Sequence, residues 1–190
     1  MRLRHARIAP VDTDRLDPAQ AEALAPFAAG SLGPLAIFRT LAHAPKALTG
    51  FLAWGSYILS KRNSLSERQR EIAILRTGWN CRSGYEFAQH REIGLKCGLS
   101  PAEIEATKHD PASATWAPLE RAIIAACDEL GSDHFVSDTT WAALEPLGDK
   151  GRMDLVMTVG QYTQVSMMLN SFGVQLDAGL APEPGLEAPA

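Results

Sequence analysis

The residue types able to do chemistry crowd into one stretch, Ser66–Gly98, which reads SERQREIAILRTGWNCRSGYEFAQHREIGLKCG. It holds Glu71, Cys81, Ser83, Tyr85, Glu86 and His90. Glu86 and His90 are four residues apart, so on a helix they share a face. A carboxylate beside an imidazole suits general acid–base work, because histidine changes charge near neutral pH and the carboxylate sets its tautomer. Glu71 has Leu75 and Gly78 on its own helical face. That predicts a partly buried carboxyl with a raised pKa, fit to pass protons. Cys81 and Ser83 fall at or near the start of a second helix, where the positive dipole end lowers a thiol pKa. A Glu–His pair beside such a thiol is an acid–base or redox centre.

Plainer roles compete with each of these. Ser83 and Glu86 have the spacing of a capping box, in which the glutamate only satisfies backbone N–H groups. A Glu–His pair four apart also occurs as a surface contact worth a few tenths of a kcal/mol. Cys81 alone can pack as a small apolar group, and Cys97 and Cys127, each among apolar helical residues, are expected to do so. His5, His43, His109 and His134 have no partner at motif spacing.

The elements around this stretch read as helices. Ser66 with Gln69 opens one that runs to about Asn80, and Gly98 ends the next. Asp17-Pro18 opens an Ala-rich helix to about Ala28, broken by Gly30, Gly33 and Pro34. Amphipathic spacing follows through Leu35, Phe38 and Leu41, and Pro45 starts a helix that stops near Asn63. Ser100-Pro101 with Glu103 repeats the start signal, Lys108–Ala114 is a loop, and Leu119, Ile123, Ala126, Cys127 and Leu130 form a further helical face. A short helix through Trp141 and a long one from Asp149 to about Asp177 complete the pattern. No run alternates as a strand does. The expected fold is all-α, with eight or nine helices in one domain over residues 1–179, preceded by a polar arm and followed by a disordered tail, 180–190.

With 190 residues, 46% apolar and 21% charged, the chain has the composition of an ordinary globular domain. A net charge of −4 offers no basic footprint for nucleic acid. The basic Met1–Arg7 is not followed by an apolar run, so no export signal is expected. Residues 155–176 lack charge yet carry Gln161, Thr163, Gln164, Ser166, Asn170, Ser171 and Gln175. That polarity points to a helix buried in protein rather than in a membrane. Three widely spaced cysteines form neither a disulfide framework nor a zinc site, and a cytoplasmic location follows. Neither metal-ligand spacing nor a nucleotide-binding glycine fingerprint occurs, so no cofactor is expected.

The segment RQREIAILRTGWNCRSGYEFAQHREIGLKCGLS resembles the core motif of the carboxymuconolactone decarboxylase family, which includes the alkylhydroperoxidase AhpD-like proteins. The R-E-I-A-I-L-R helix, the Y-E-F-A-Q-H segment and the trailing G-L-S carry the likeness, over about Ser66 to Ile104. The resemblance implies an all-α, AhpD-like bundle built around this helical hairpin, assembling as a dimer, trimer or hexamer. An apolar surface most of the way round the last helix (Val156, Met157, Val159, Val165, Met167, Met168, Leu169, Phe172) agrees with a homo-oligomer.

AhpD-like peroxidases use C-x-x-C, a histidine four residues on, and an upstream relay glutamate. With His90 on that histidine, Glu71 falls on the relay position, Ser83 and Glu86 fall on the cysteines, and Tyr85 falls on a histidine between them. Cys97 lies some four helical turns from Cys81, on the order of 24 Å, too far to form a disulfide. A one-cysteine peroxidase step through Cys81, resolved by an external thiol, is one reading. The Y-E-F-A-Q-H form resembles the decarboxylase side instead. There His90 would be the general acid, Glu86 and Glu71 its partners, Tyr85 and Ser83 substrate contacts, and Arg76 or Arg82 the cation for a substrate carboxylate. The extra N-terminal helices would cover or reshape the pocket of such a small carboxylated lactone or related acid. A non-catalytic oligomeric scaffold is the third reading.

Overall fold

A computed structural model describes residues 1–27, 33–113 and 116–188. Among these residues there are nine α-helices and no strand: α1 (Pro18–Leu24), α2 (Ala36–Leu41), α3 (Pro45–Ile58), α4 (Glu67–Asn80), α5 (Gly84–Lys96), α6 (Pro101–Ala106), α7 (Pro118–Ser132), α8 (Asp138–Ala143) and α9 (Gly148–Phe172). The expected all-α class is met. Capping boxes form at Asp17, Ser66 and Ser100, each with its glutamine or glutamate three residues on. Proline occupies the first turn of α1, α3, α6 and α7, where its missing N–H costs nothing. The expected end of the first helix at Ala28, and Gly30 beyond it, lie outside the described residues; α1 itself gives way to a 3₁₀ turn at Ala25.

Helix α4 is the axis of the bundle. Every residue from Arg70 to Gly78 is buried, because α5, α7 and α9 pack round it. Ile72, Leu75, Phe87, Ile104, Ile123, Ile124 and Leu155 join in the main core, each worth roughly 1.5–3 kcal/mol on full burial. Ile37 of α2, Tyr85 of α5, and Val165 and Leu169 of α9 form a separate cluster that seats the N-terminal helices on the hairpin. The buried Asp154 clamps the α3–α4 connection to α9: its carboxylate accepts from Tyr57 Oη (2.7 Å), Ser64 N (2.6 Å) and Lys150 Nζ (2.6 Å).

Two expectations need correction. Helix α9 ends at Phe172, not near Asp177. Gly173 is left-handed there (φ 68°), and the N-terminal arm docks at that end, with Arg7 N and Ile8 N donating to Phe172 O at 2.8 and 3.2 Å. The tail is not loose over its described part. Leu186 is buried in the main core, and Glu183 is buried between Lys108 Nζ (2.6 Å) and Arg91 Nη1 (3.2 Å). Composition suggested disorder because these partners sit far upstream, Arg91 by 92 residues, where only the fold brings them near. Among the described residues no helix is long and apolar enough to cross a membrane.

Candidate functional site

The hairpin turn shapes the site. Ser83 N donates to Gly78 O (2.8 Å) across a left-handed Arg82 at φ 53°, a conformation that costs a non-glycine residue roughly 1–2 kcal/mol. Cys81 is therefore the C-terminal cap of α4, not part of the start of α5. Ser83 is the N-cap of α5, but its side chain makes no capping bond, and its buried Oγ has no hydrogen-bond partner among the described residues. The capping-box role for Glu86 is thus absent, and its carboxyl turns inward.

Glu71 and His90 meet across the hairpin. Glu71 is 1% exposed and His90 8%, and His90 Nδ1 lies 2.7 Å from Glu71 Oε2. The carboxylate takes the Nδ1–H and leaves Nε2 as the ring nitrogen open to a reactant. Tyr162 of α9 packs edge-on against the imidazole (centroids 4.8 Å apart, 89° between planes). Burial keeps the Tyr162 phenol well above its ordinary pKa, with the charges of Glu71 and Glu86 adding to the rise, so it stays neutral.

Glu86 is the second acid of the site. Its Oε2 accepts from Ser166 Oγ at 2.8 Å, while its buried Oε1 has no partner among the described residues. Burial pushes its pKa well above the ordinary 4.5; the Ser166 hydroxyl opposes the shift and the Glu71 charge adds to it. Burial thus favours the protonated carboxyl of Glu86, the form able to donate a proton or a hydrogen bond. Room for it comes from Gly78, where a Cβ would stand 2.8 Å from Oε1.

His90 and Glu86 both line a cavity of about 360 Å³. Its walls are mostly apolar, with Phe38 and Phe51 from the N-terminal helices, Ile58 from α3, and Tyr162 and Val165 from α9. Gln89 and Gln161 supply amides. Among the described residues that line it, none is lysine or arginine.

The other expected site residues are placed as follows. Cys81 does not line the cavity. Burial pushes its thiol pKa up and the Glu86 charge adds to this, against the neighbouring hydroxyls of Ser166 and Thr163. The expected dipole-lowered thiol is not found, because Cys81 sits at the negative end of α4 rather than the positive end of α5. Cys97 and Cys127 are also free thiols, and burial pushes Cys127 up to about 12, as its packing role requires. Arg76 points away from the cavity: its guanidinium grips Asp128 through Nε (2.6 Å) and Nη2 (2.7 Å), and Nη1 donates to Thr107 O and His109 O. Arg82 is exposed on the turn. Arg70 is buried, its charge acts on Tyr162 of the cavity wall, and its Nε has no partner among the described residues. Tyr85 lines the cavity but commits its hydroxyl to Asp177, and Ser83 does not line it.

Sequence reasoning missed Gly78, Tyr162, Ser166 and Asp177 as parts of the site. A signal existed for Ser166 and Gln161: both are polar positions in the charge-free last helix, and both are buried here. Nothing in the sequence marks Asp177.

The fold matches solved structures along nearly its whole length. A peroxidase-related protein with an alkylhydroperoxidase AhpD core, from Ralstonia eutropha JMP134, is 19% identical, with a TM-score of 0.79 over 94% of this chain and 98% of that one. A peroxidase-related protein from Silicibacter sp. TM1040 is 14% identical, with a TM-score of 0.77 over 93% and 95%. The debrominase Bmp8, as a cysteine-to-alanine variant in complex with 2,3,4-tribromopyrrole, is 14% identical, with a TM-score of 0.69 over 92% and 94%. The fold is therefore an all-helical one shared with AhpD-like structures. Residues 45–129, which run from α3 into α7 and contain the whole hairpin, match the carboxymuconolactone decarboxylase family model. A comparison with curated proteins gives no match.

Proposed function

We propose that the protein is a carboxymuconolactone decarboxylase-like enzyme that acts on a small carboxylated lactone or related acid, bound in the hairpin cavity, by general acid–base chemistry. The observation that carries this reading is the His90–Glu71 pair, with Nδ1 held at 2.7 Å by a buried carboxylate and Nε2 left for the cavity. In the decarboxylating step the C–CO₂ bond breaks and its electron pair delocalises into the ring carbonyl system. His90 Nε2–H then gives its proton to carbon, CO₂ leaves, and the imidazole regains a proton from solvent. Glu71 stabilises the imidazolium form from which that proton is given and to which the ring returns, and Glu86 in its protonated form donates a hydrogen bond to oxygen where negative charge develops. Arg70, not Arg76 or Arg82, is the arginine whose charge reaches the cavity wall, at Tyr162, and it would favour an anionic group there.

Peroxide reduction through Cys81 is the second reading. It is supported by the Ser166 hydroxyl, which lies beside both the thiol and Glu86, and by the peroxidase-related names of two structural relatives. One panel separates the two readings. Wild type, His90→Asn and Cys81→Ser are assayed on 4-carboxymuconolactone, tert-butyl hydroperoxide with dithiothreitol, and 2,3,4-tribromopyrrole with dithiothreitol, the last because the debrominase relative was solved with that ligand. Lactone consumption lost in His90→Asn and kept in Cys81→Ser supports the decarboxylase reading. Turnover of peroxide or bromopyrrole lost in Cys81→Ser supports the thiol reading. Activity that survives both substitutions refutes both.

A further inference from the structure

We propose that Asp177 is a positioning residue that sets the width of the hairpin cavity and thereby which ligands fit; the proposal rests on that cavity being the binding site. Three donors from two cavity-lining elements converge on this one carboxylate. Its Oδ1 accepts from Ala36 N at the start of α2 (2.8 Å). Its Oδ2 accepts from Tyr85 Oη and from Gln89 Nε2 (2.8 Å), both on α5. Tyr85 and Gln89 line the cavity, as do Leu35, Ile37 and Phe38 at and within α2. Asp177 thus stands where α2 meets α5 and ties the two walls together.

The chemistry of the contact suits a carboxylate side chain. All three groups are donors, and a carboxylate is acceptor-only, so one side chain satisfies them together. Leu35, the N-cap of α2, has no side chain able to cap that helix, and Asp177 supplies the missing acceptor from outside. Burial and the Asp177 carboxylate hold the Tyr85 phenol far above its ordinary pKa, so the hydroxyl remains a donor.

The segment that carries Asp177 is itself moored at its far end. Glu183 pairs with the buried Lys108 and with Arg91, and Leu186 enters the core. Residues 173–188 therefore form a strap fixed at both ends, with Asp177 as its contact to the cavity wall. An asparagine at 177 would turn an amide N–H towards one of the three donors and release at least one of them.

The test uses the full-length protein and two uncharged apolar probes, naphthalene and the larger fluorescent N-phenyl-1-naphthylamine. A first arm asks whether the cavity is the site. Gly55→Trp, which fills the cavity from α3, should abolish binding of both probes; if it does not, the cavity reading itself fails. Given that loss, Asp177→Asn should shift the ratio of the two dissociation constants by about tenfold in favour of the larger probe. Tyr85→Phe and Gln89→Ala, which each remove one donor, should shift it part of the way. Glu183→Gln, which loosens the far mooring but leaves all three bonds to Asp177 in place, should move the ratio less than Asp177→Asn does. A merely structural role for Asp177 predicts that Asp177→Asn and Glu183→Gln lower the melting temperature alike and leave the ratio unchanged. If Asp177→Asn does not fold, Tyr85→Phe and Gln89→Ala carry the test, and an unchanged ratio in both overturns the proposal.

Discussion

Replacing Gly78 by alanine tests the architecture of the site through one methyl group. Gly78 lies inside α4, where Gly→Ala ordinarily stabilises a helix by about 1 kcal/mol. Here the new Cβ would stand 2.8 Å from Glu86 Oε1 and 3.6 Å from its carboxyl carbon. A normal contact requires the carboxyl to retreat by several tenths of an ångström. Glu86 is 1% exposed and its other oxygen is held by Ser166 Oγ at 2.8 Å, so the retreat loosens that bond inside a packed core. Overpacking of this kind costs about 1–3 kcal/mol. The net change for Gly78→Ala is therefore a loss between about zero and 2 kcal/mol once the helix gain is subtracted. Gly50 supplies the reference: it lies on α3, is exposed, and a Cβ there would meet nothing within 4 Å. Gly50→Ala should gain up to about 1 kcal/mol, which in a chain of this length raises the melting temperature by roughly 2–4 °C. Adding Glu86→Ala to Gly78→Ala removes the clashing carboxyl, and the methyl group should then become neutral or stabilising. Urea denaturation of wild type, the two single variants and the double variant measures the coupling, expected at about 1–2 kcal/mol for groups in contact. If Gly78→Ala stabilises as much as Gly50→Ala, and the cycle with Glu86 shows no coupling, the placement of the Glu86 carboxyl against α4 is wrong.

The raised pKa of Glu86 gives a pH prediction with a definite sign. The folded state holds this proton to higher pH than the unfolded chain does, so its contribution is complete below about 4.5 and declines as pH rises through the folded pKa. Glu86→Gln, which is neutral at every pH, should gain melting temperature relative to wild type between pH 5 and pH 8; a constant difference across that range refutes the assignment. Glu71→Gln keeps the shape beside His90 but removes the charge that steadies an imidazolium. Turnover of any substrate identified should fall by about 10² or more at nearly constant KM, and ¹⁵N spectra of labelled histidine should show His90 losing its single tautomer. Met153, Val156 and Met167 stand exposed on α9, and the expected outcome is a homo-oligomer. Size-exclusion chromatography with light scattering at micromolar concentration checks it, and a 20.5 kDa species there refutes it.

Local chemistry along the chain was enough to place most of the helix starts, but not the ends of α3, at Ile58 rather than near Asn63, and of α9. Proline, serine and aspartate caps placed the starts of α1, α3, α4 and α6 within a residue or two, since a cap bonds backbone groups two or three residues away. The Y-E-F-A-Q-H segment also placed Glu86 and His90 near one another and on the right helix, because a spacing of four is itself a geometric statement. Only tertiary structure decided which carboxylate holds which nitrogen. Glu86 shares a helix with His90, yet Glu71 from the antiparallel α4 takes Nδ1, and Ser166, 80 residues further on, takes Glu86. The state of Cys81 turned on a single residue: left-handed Arg82 leaves the thiol at the end of α4 instead of the beginning of α5, which reverses the sign of the helix dipole acting on it. Arg76 looked available for an anion because Asp128 lies 52 residues away and meets it only when α7 packs on α4. The tail was the furthest from reach. Glu183, Leu186 and Asp177 carry no signal in a Pro- and Gly-rich end, and their burial depends on Lys108, Trp79 and Tyr85 being assembled first. Capping, spacing and periodicity act over one or two turns of chain. Desolvation, ion pairing and the shape of a cavity depend on which distant segments exclude water together, and that is settled by the packing of α4 against α5, α7 and α9.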